Sequence, residues 1–209
     1  MSTEELVNAV AHGIGLALSI VGAVLLIVAA ASSRNPWAIV SCCVYAATLM
    51  SLYAASTALH SIPSPRWTRT LETIDHCCIY FLIAGTYTPV TLVSLRGGWG
   101  WTLFGLVWGI CFLGMLLKVG WFEHVRRIST PLYIAMGLLV MIAFKPLMAA
   151  VRIPGVLWLV AGGAAYIGGV GFYAWRRLPY SHGIWHLFVL AGSICHYLAI
   201  YYYVVPRQG

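Results

Sequence analysis

Seven stretches of this sequence are each about 20 residues long and almost wholly apolar, which is the length a helix needs to cross a bilayer. They run over approximately 13–31, 38–60, 73–94, 100–118, 128–147, 155–175 and 184–204. In lipid every backbone polar group must find its partner inside the chain, so each run is expected to be a spanning helix. The breaks carry turn chemistry: Ser33-Arg34-Asn35-Pro36, Ile62-Pro63-Ser64-Pro65-Arg66, Arg96-Gly97-Gly98, Arg152-Ile153-Pro154-Gly155 and Arg176-Arg177-Leu178-Pro179. None is long enough to hold an extramembrane domain. The chain therefore reads as all-α, a polytopic membrane protein whose residues 1–209 form one seven-transmembrane-helix bundle. Composition points the same way: 61% of residues are hydrophobic and 8% are charged, whereas an ordinary globular domain carries roughly 25% charged residues.

A net charge of +7 in a soluble chain would suggest nucleic acid. Here Lys and Arg fall in the short breaks, so they are topology signals and no nucleic-acid partner is expected. With the N-terminus inside, the inner breaks hold Arg66, Arg69, Lys118, Arg126, Arg127, Arg176 and Arg177. The outer side then holds Arg34, Arg96, Lys145, Arg152 and Arg207. That bias, with both Arg-Arg pairs inside, predicts a cytoplasmic N-terminus and an extracytoplasmic C-terminus. The first residues, Met1-Ser2-Thr3-Glu4-Glu5, are acidic where a secretory signal would be basic, so the first apolar run is read as a retained span. Six cysteines (42, 43, 77, 78, 111 and 195) lie in or beside apolar runs without zinc-finger spacing. They read as small buried hydrophobes, with no disulfide framework expected. Cys77, beside Asp75 and His76, is the exception, since those neighbours could give its thiol a chemical role.

Ionisable groups inside a bilayer are costly, so their positions are informative. Spans alternate in direction. The starts of spans one, three, five and seven therefore share a side with the ends of spans two, four and six. His12, His60, His76, His124, His182 and His186 all fall toward that side, as do all five acids, whichever way the protein is oriented. His182 and His186 are about 6 Å apart in rise and about 40° apart in rotation, so both imidazoles point one way. The metalloprotease helix signature uses this same i,i+4 spacing to place two histidines on one zinc. Taken alone, such a pair is more often structural. Ser181, following Pro179, is placed to cap this helix.

Two further pieces reach the same depth. Ser56 and His60 share a face at the end of span two, and Glu72-Thr73-Ile74-Asp75-His76 opens span three. Three histidines and a carboxylate around one cation make a nitrogen/oxygen site whose usual occupant is zinc. Asp75 would either ligate directly or hold a metal-bound water as a base. His196 lies ten residues beyond His186, about 15 Å along the helix, too far to share the ion. It reads as a hydrogen-bonded core histidine. Glu5, Asn8 and His12 fall at i, i+3 and i+7 at the mouth of span one. They are candidates either for supporting the ligands or for a polar face among headgroups. The aromatic residues suit interfacial belts and packing.

The combination of Glu5-x2-Asn8-x3-His12-Gly13, Ser56-x3-His60, Asp75 and His182-x3-His186 resembles the hemolysin III family. That family is the bacterial branch of the progestin and adipoQ receptors, which include the adiponectin receptors. The resemblance spans nearly the whole chain. It implies seven helices with a cytoplasmic N-terminus in a bacterial inner (plasma) membrane. It also implies zinc held by His60, His182 and His186, with Asp75 on the zinc-bound water and Ser56 close by. Alkaline ceramidases in the wider superfamily suggest metal-assisted hydrolysis of a lipid amide, and the family name suggests cytolysis.

Three functions compete on these grounds. The leading expectation is a zinc-dependent, amidase-like hydrolase acting on a lipid or acylated small molecule, with Asp75 and Ser56 as catalytic residues and membrane lipids as partners. The second is a non-catalytic receptor or regulator of membrane state with a structural zinc. The third is a hemolysin-type pore. Against the pore, no row of acidic or basic residues crosses the half of the bundle that His196 occupies.

Overall fold

A computed structural model describes residues 2–175 and 177–206, with the side chains of residues 122–127 outside that description. The described chain is helical throughout its ordered elements and contains seven helices long and apolar enough to cross a membrane. The elements are α1 (Thr3–Ser32), α2 (Pro36–Ser61), α3 (Pro65–Pro89), α4 (Gly98–Gly120), α5 (Phe122–Leu138), α6 (Phe144–Ala150), α7 (Ile153–Ala174) and α8 (Ser181–Ala199). Single wide turns, Val90–Ser94 and Ile200–Val204, prolong α3 and α8. The side chains of His124, Arg126 and Arg127, and residues Arg176 and Arg207, which entered the topology reading, lie outside the described residues.

Two helices start well before their apolar runs. α1 begins at Thr3 because the Ser2 side chain accepts a hydrogen bond from the Glu5 N–H at 3.1 Å, satisfying one orphan donor of the first turn. α3 begins at Pro65, where proline's fixed φ suits a first helical position and its missing N–H costs nothing. Both extensions carry polar residues on helix beyond the apolar segment, and Glu5 and Glu72 ride on them.

α1 packs along α2, α2 along α3 and α7 along α8, while α8 closes against α1. The third span is the most enclosed, with 72% of its apolar window buried against 17–50% for the other six. Asp75 and His76 on α3 are accordingly half-buried, whereas Arg66 and Arg69 on its first turns are exposed. Helix approach is close where glycine allows it. A Cβ at Gly15 would strike the Tyr53 ring and one at Gly85 would strike Thr48. At the end opposite the histidines, Arg96 lies over the Trp37 ring at 4.6 Å, and Trp37 meets Trp101 edge-on at 5.7 Å, an aromatic pair suited to the interface.

The fifth span is broken, which its apolar pattern did not foretell. Pro146 has no N–H for the Ile142 carbonyl and its ring would crowd that turn, so α5 ends at Leu138. A tight turn over Leu139–Ala143 follows, and α6 restarts at Phe144. The interrupted backbone is met by one side chain from α3. The Tyr87 hydroxyl lies 3.0 Å from the Met136 carbonyl and 2.9 Å from that of Gly137, and accepts from the Val140 N–H at 2.8 Å. Non-helical backbone at membrane depth is tolerated only with such support. Tyr87→Phe is expected to destabilise the protein by about 1–3 kcal/mol through the unmet backbone groups. Unfolding in detergent micelles, followed by circular dichroism, measures this; a stability unchanged from wild type would contradict the role given to Tyr87.

Candidate metal centre

His60 sits on the last turn of α2, and His182 and His186 sit on the first turns of α8. One nitrogen from each lies within 4.8 Å of the others, the sole such grouping of three metal-binding side chains among the described residues. His186 Nε2 and His60 Nε2 are 3.1 Å apart. The His60 ring centroid is 5.2 Å from that of His182 and 5.0 Å from that of His186, and the His182 and His186 centroids are 4.5 Å apart. A tetrahedral zinc with nitrogens at about 2.0–2.1 Å separates its ligand atoms by roughly 3.3 Å. The trio therefore has the donor type a small divalent cation needs, and the His60–His186 pair has the separation, with borderline nitrogen ligands suiting zinc.

The helix bearing His182 and His186 does not begin as its sequence suggested. Ser181 is the first helical residue and makes no cap; the flanking position is Tyr180, in a left-handed conformation at φ 56°. The Tyr180 carbonyl accepts from the Ile184 N–H at 2.9 Å, so the first turn is already closed one residue earlier than a Ser181 cap would allow. Tyr173 of α7 lies against His182, with ring centroids 5.8 Å apart, and helps fix its direction.

The polar stripe of α1 faces the trio. Glu5 Oε2 is 2.7 Å from His60 Nδ1. An ionised carboxylate there fixes the proton on Nδ1 and leaves the Nε2 lone pair facing the centre, the usual device for orienting a metal-bound imidazole. His12 is buried with its ring 3.7 Å from that of His186. Its two nitrogens, His186 Nδ1 and Asn8 Oδ1 are all buried without a hydrogen-bonding protein partner. Buried polar atoms of this kind are normally satisfied by water or a ligand. Glu5 and His12 thus lie against the histidine trio, and Asn8 is buried on the same stripe, while the Glu5 side chain remains half exposed.

A cavity of about 460 Å³ runs from this cluster between α3, α5, α7 and α8. Asp75, Ser56, His182 and His186 line it at one end, where the Ser56 hydroxyl is buried without a hydrogen-bonding protein partner. Beyond them the walls turn apolar, with Ile79, Leu82, Ile83, Ile134 and Val170. Along α7 the lining extends from Tyr173 to Val156, seventeen residues or about 25 Å of helix. His76 also lines the cavity, and its carbonyl accepts from the Tyr133 hydroxyl at 3.0 Å, but it is outside the trio.

His196 hydrogen-bonds the Leu159 carbonyl through Nε2 at 3.0 Å, and its ring meets Tyr166 at 5.4 Å. Nearby, the Tyr53 hydroxyl donates to Ser193 Oγ at 2.9 Å, and Tyr166 shares that Ser193 oxygen at 2.9 Å. This polar knot was not legible in the sequence, because residues scattered over α2, α7 and α8 leave no local pattern. All six cysteines are free, and Cys77 is buried on α3 outside the histidine trio.

Comparison with known proteins places the chain. A profile described as Haemolysin-III related matches residues 1–197. The chain belongs to that family. It is 42% identical over 206 residues to Hemolysin-3 of Bacillus cereus, covering 99% of this chain and 94% of that protein. It is 43% identical over 202 residues to the Hemolysin-3 homolog of Bacillus subtilis strain 168, covering 97% and 95%. The human monocyte to macrophage differentiation factor is 27% identical over 213 residues, covering 96% of this chain and 84% of its own length. This haemolysin-III relative is a multi-pass membrane protein by family and by its seven spanning helices.

Loss of the Glu5 carboxylate is expected to weaken metal binding by about 10–100-fold without loss of helix content. Competition between purified Glu5→Gln protein and a chromophoric zinc chelator reads that change directly. Affinity equal to wild type would show that Glu5 and His60 are merely neighbours.

Proposed function

We propose that this protein is a zinc-dependent membrane hydrolase, amidase-like in chemistry, that acts on a lipid or acylated small molecule. The observation that supports it is the placement of three converging imidazoles, a carboxyl and a hydroxyl at one end of a long apolar cavity. A purely structural metal has no need of a cavity, a facing carboxyl or a place for an acyl chain.

When bound, zinc supplies a Lewis acid for the acyl carbonyl and makes water acidic enough to attack near neutral pH. His60, His182 and His186 hold the ion, with Glu5 keeping His60 turned toward it. Asp75 takes the proton from the attacking water and returns it to the leaving amine, the double task of a general base and then acid. Ser56 donates its hydroxyl proton to the oxygen that gains charge as the carbonyl carbon becomes tetrahedral. The apolar walls along α3, α5 and α7 take the acyl chain, align its carbonyl and keep bulk water from the reacting bond. We assign the histidine end to the cytoplasmic side of a bacterial plasma membrane, following the distribution of Arg and Lys.

A second reading has one observation in its favour. The trio joins α2 to α8, so an ion there would also staple two helices distant in sequence. The two readings part at Asp75. Asp75→Asn is expected to keep stoichiometric metal while lowering turnover of N-acyl lipids by about 10²-fold or more. Chelator should abolish the wild-type rate. Chromatographic product analysis with purified protein in nanodiscs measures both. Absence of any metal-dependent product across acyl-amide and acyl-ester lipids would reject the hydrolase.

A further inference from the structure

The deeper walls of the cavity are not apolar throughout. Tyr166 of α7 and His196 of α8 line it as well, and both are half-buried. Tyr166 belongs to the knot that ties α2, α7 and α8 together, whose other members, Tyr53 and Ser193, are buried. Ser193 follows His186 by seven residues, two turns on and on the same face of α8, so the knot lies about 10 Å along the helix from the histidine trio.

A count of protons shows what the knot leaves over. Three hydroxyls share two hydrogen bonds, so one of their three protons has no acceptor among the described residues. Tyr53 donates to Ser193, which leaves the spare proton on Ser193 or on Tyr166. On Ser193 it would be an unmet donor in a buried place, a costly state. The cheaper order runs from Tyr53 to Ser193 to Tyr166, and Tyr166 is the member of the three that lines the cavity. Hydrogen bonds in such a chain polarise one another, which strengthens the last donor. That donor is also held in place. The Tyr166 ring lies over Gly192, where a Cβ would come within 2.9 Å of it, and meets the His196 ring at 5.4 Å, while His196 is itself tied to the Leu159 carbonyl.

We propose that Tyr166, backed by Ser193 and Tyr53, is a subsite for an oxygen carried part-way along the chain of the ligand. The oxygen is a hydroxyl or keto group about eight to ten carbons beyond the carbonyl, taking carbon–carbon bonds of about 1.5 Å in a zigzag. The substrate class is then an acyl amphiphile oxygenated in mid-chain. A few placed polar groups in an otherwise apolar pocket fix the register of a ligand in this way. An oxygen elsewhere on the chain would meet apolar wall and go unpaired. The distance rests on the hydrolase reading, which sets the amide at the histidine cluster; the hydrogen bond at Tyr166 does not.

The test is equilibrium binding of four radiolabelled N-octadecanoylethanolamines to the metal-loaded full chain in nanodiscs, with empty discs subtracted. Two carry a hydroxyl, on the tenth or the seventeenth carbon, and two carry a keto oxygen at the same places. Asp75→Asn is the background throughout, so that the ligands stay intact. Comparison within a pair cancels the cost of taking the oxygen out of water, because both isomers bear it. The unaltered knot is expected to bind the tenth-carbon isomer of one or both pairs about fivefold or more tighter than its partner. Tyr166→Phe should erase that preference and leave the seventeenth-carbon isomers within about twofold. Tyr53→Phe loosens the knot but leaves the Tyr166 proton, and should keep the preference. Ser193→Ala removes the hydroxyl that donates to Tyr166, should reduce the preference about threefold, and serves if Tyr166→Phe does not fold.

A preference in the keto pair identifies an oxygen that only accepts; one confined to the hydroxyl pair identifies an oxygen that donates as well. No preference with the unaltered knot overturns the subsite, as does an undiminished preference in Tyr166→Phe or, in its place, Ser193→Ala. Equal loss in Tyr53→Phe also overturns it, since the integrity of the knot alone would then explain the effect. Turnover of N-acyl lipids without a Tyr166-dependent preference removes the subsite alone. A Tyr166-dependent preference without turnover supports the subsite and removes the hydrolase reading.

Discussion

Ionisable side chains lowered into a bilayer have few ways to be accommodated, and the cheapest is to meet one another. That constraint organises one end of this bundle. Imidazoles from α2 and α8, carboxyls from α1 and α3 and a stripe of polar atoms on α1 would each be costly if they faced lipid. Brought to one depth, they form a shared polar volume. Glu5 grips His60 at 2.7 Å, and His60 faces His186 at 3.1 Å. α3, the most enclosed span, brings Asp75 to the same place from within the bundle. A cation among the imidazoles would convert a cluster of lone pairs into ligands, so the arrangement that relieves the burial cost also supplies the donor set for a metal ion.

The cavity follows from a second backbone constraint. Pro146 prevents the fifth span from running through as one helix, and Tyr87 holds the interrupted turn together. Gly137, Leu138, Val140 and Met141 on that broken segment all line the cavity opposite α7 and α8. An unbroken helix would present a regular ridge of side chains there. The wall is shaped by the break, and the break is stable because a tyrosine on the neighbouring helix serves its exposed carbonyls and N–H.

How far these features were legible in the sequence depends on the range of the forces behind them. The spans could be read because lipid acts on each helix separately, and the alternation of direction then put His12, His60, Asp75, His182 and His186 at one depth without any tertiary information. The contact between Glu5 and His60 was not specific in the sequence. The apolar pattern starts near residue 13, whereas the Ser2 cap carries helix back to Thr3 and delivers Glu5 to the cluster. Ser181 looked like a cap by composition, yet the turn closes on the Tyr180 carbonyl. The break in span five and the Tyr53–Ser193–Tyr166 knot depend on partners many residues away, as does the burial of Lys118. Apolar periodicity carries no record of such pairings.

The central claim is that three imidazoles from α2 and α8 hold one zinc ion. X-ray absorption at the zinc edge of the purified protein tests it without any assumption about substrate. The account predicts one tightly bound zinc per chain, surrounded by about three imidazole nitrogens and one oxygen near 2.0–2.1 Å, with no sulfur. A shell of sulfur near 2.3 Å would place the metal on cysteines instead. That result, or protein that carries no stoichiometric zinc after purification in its presence, would contradict the account.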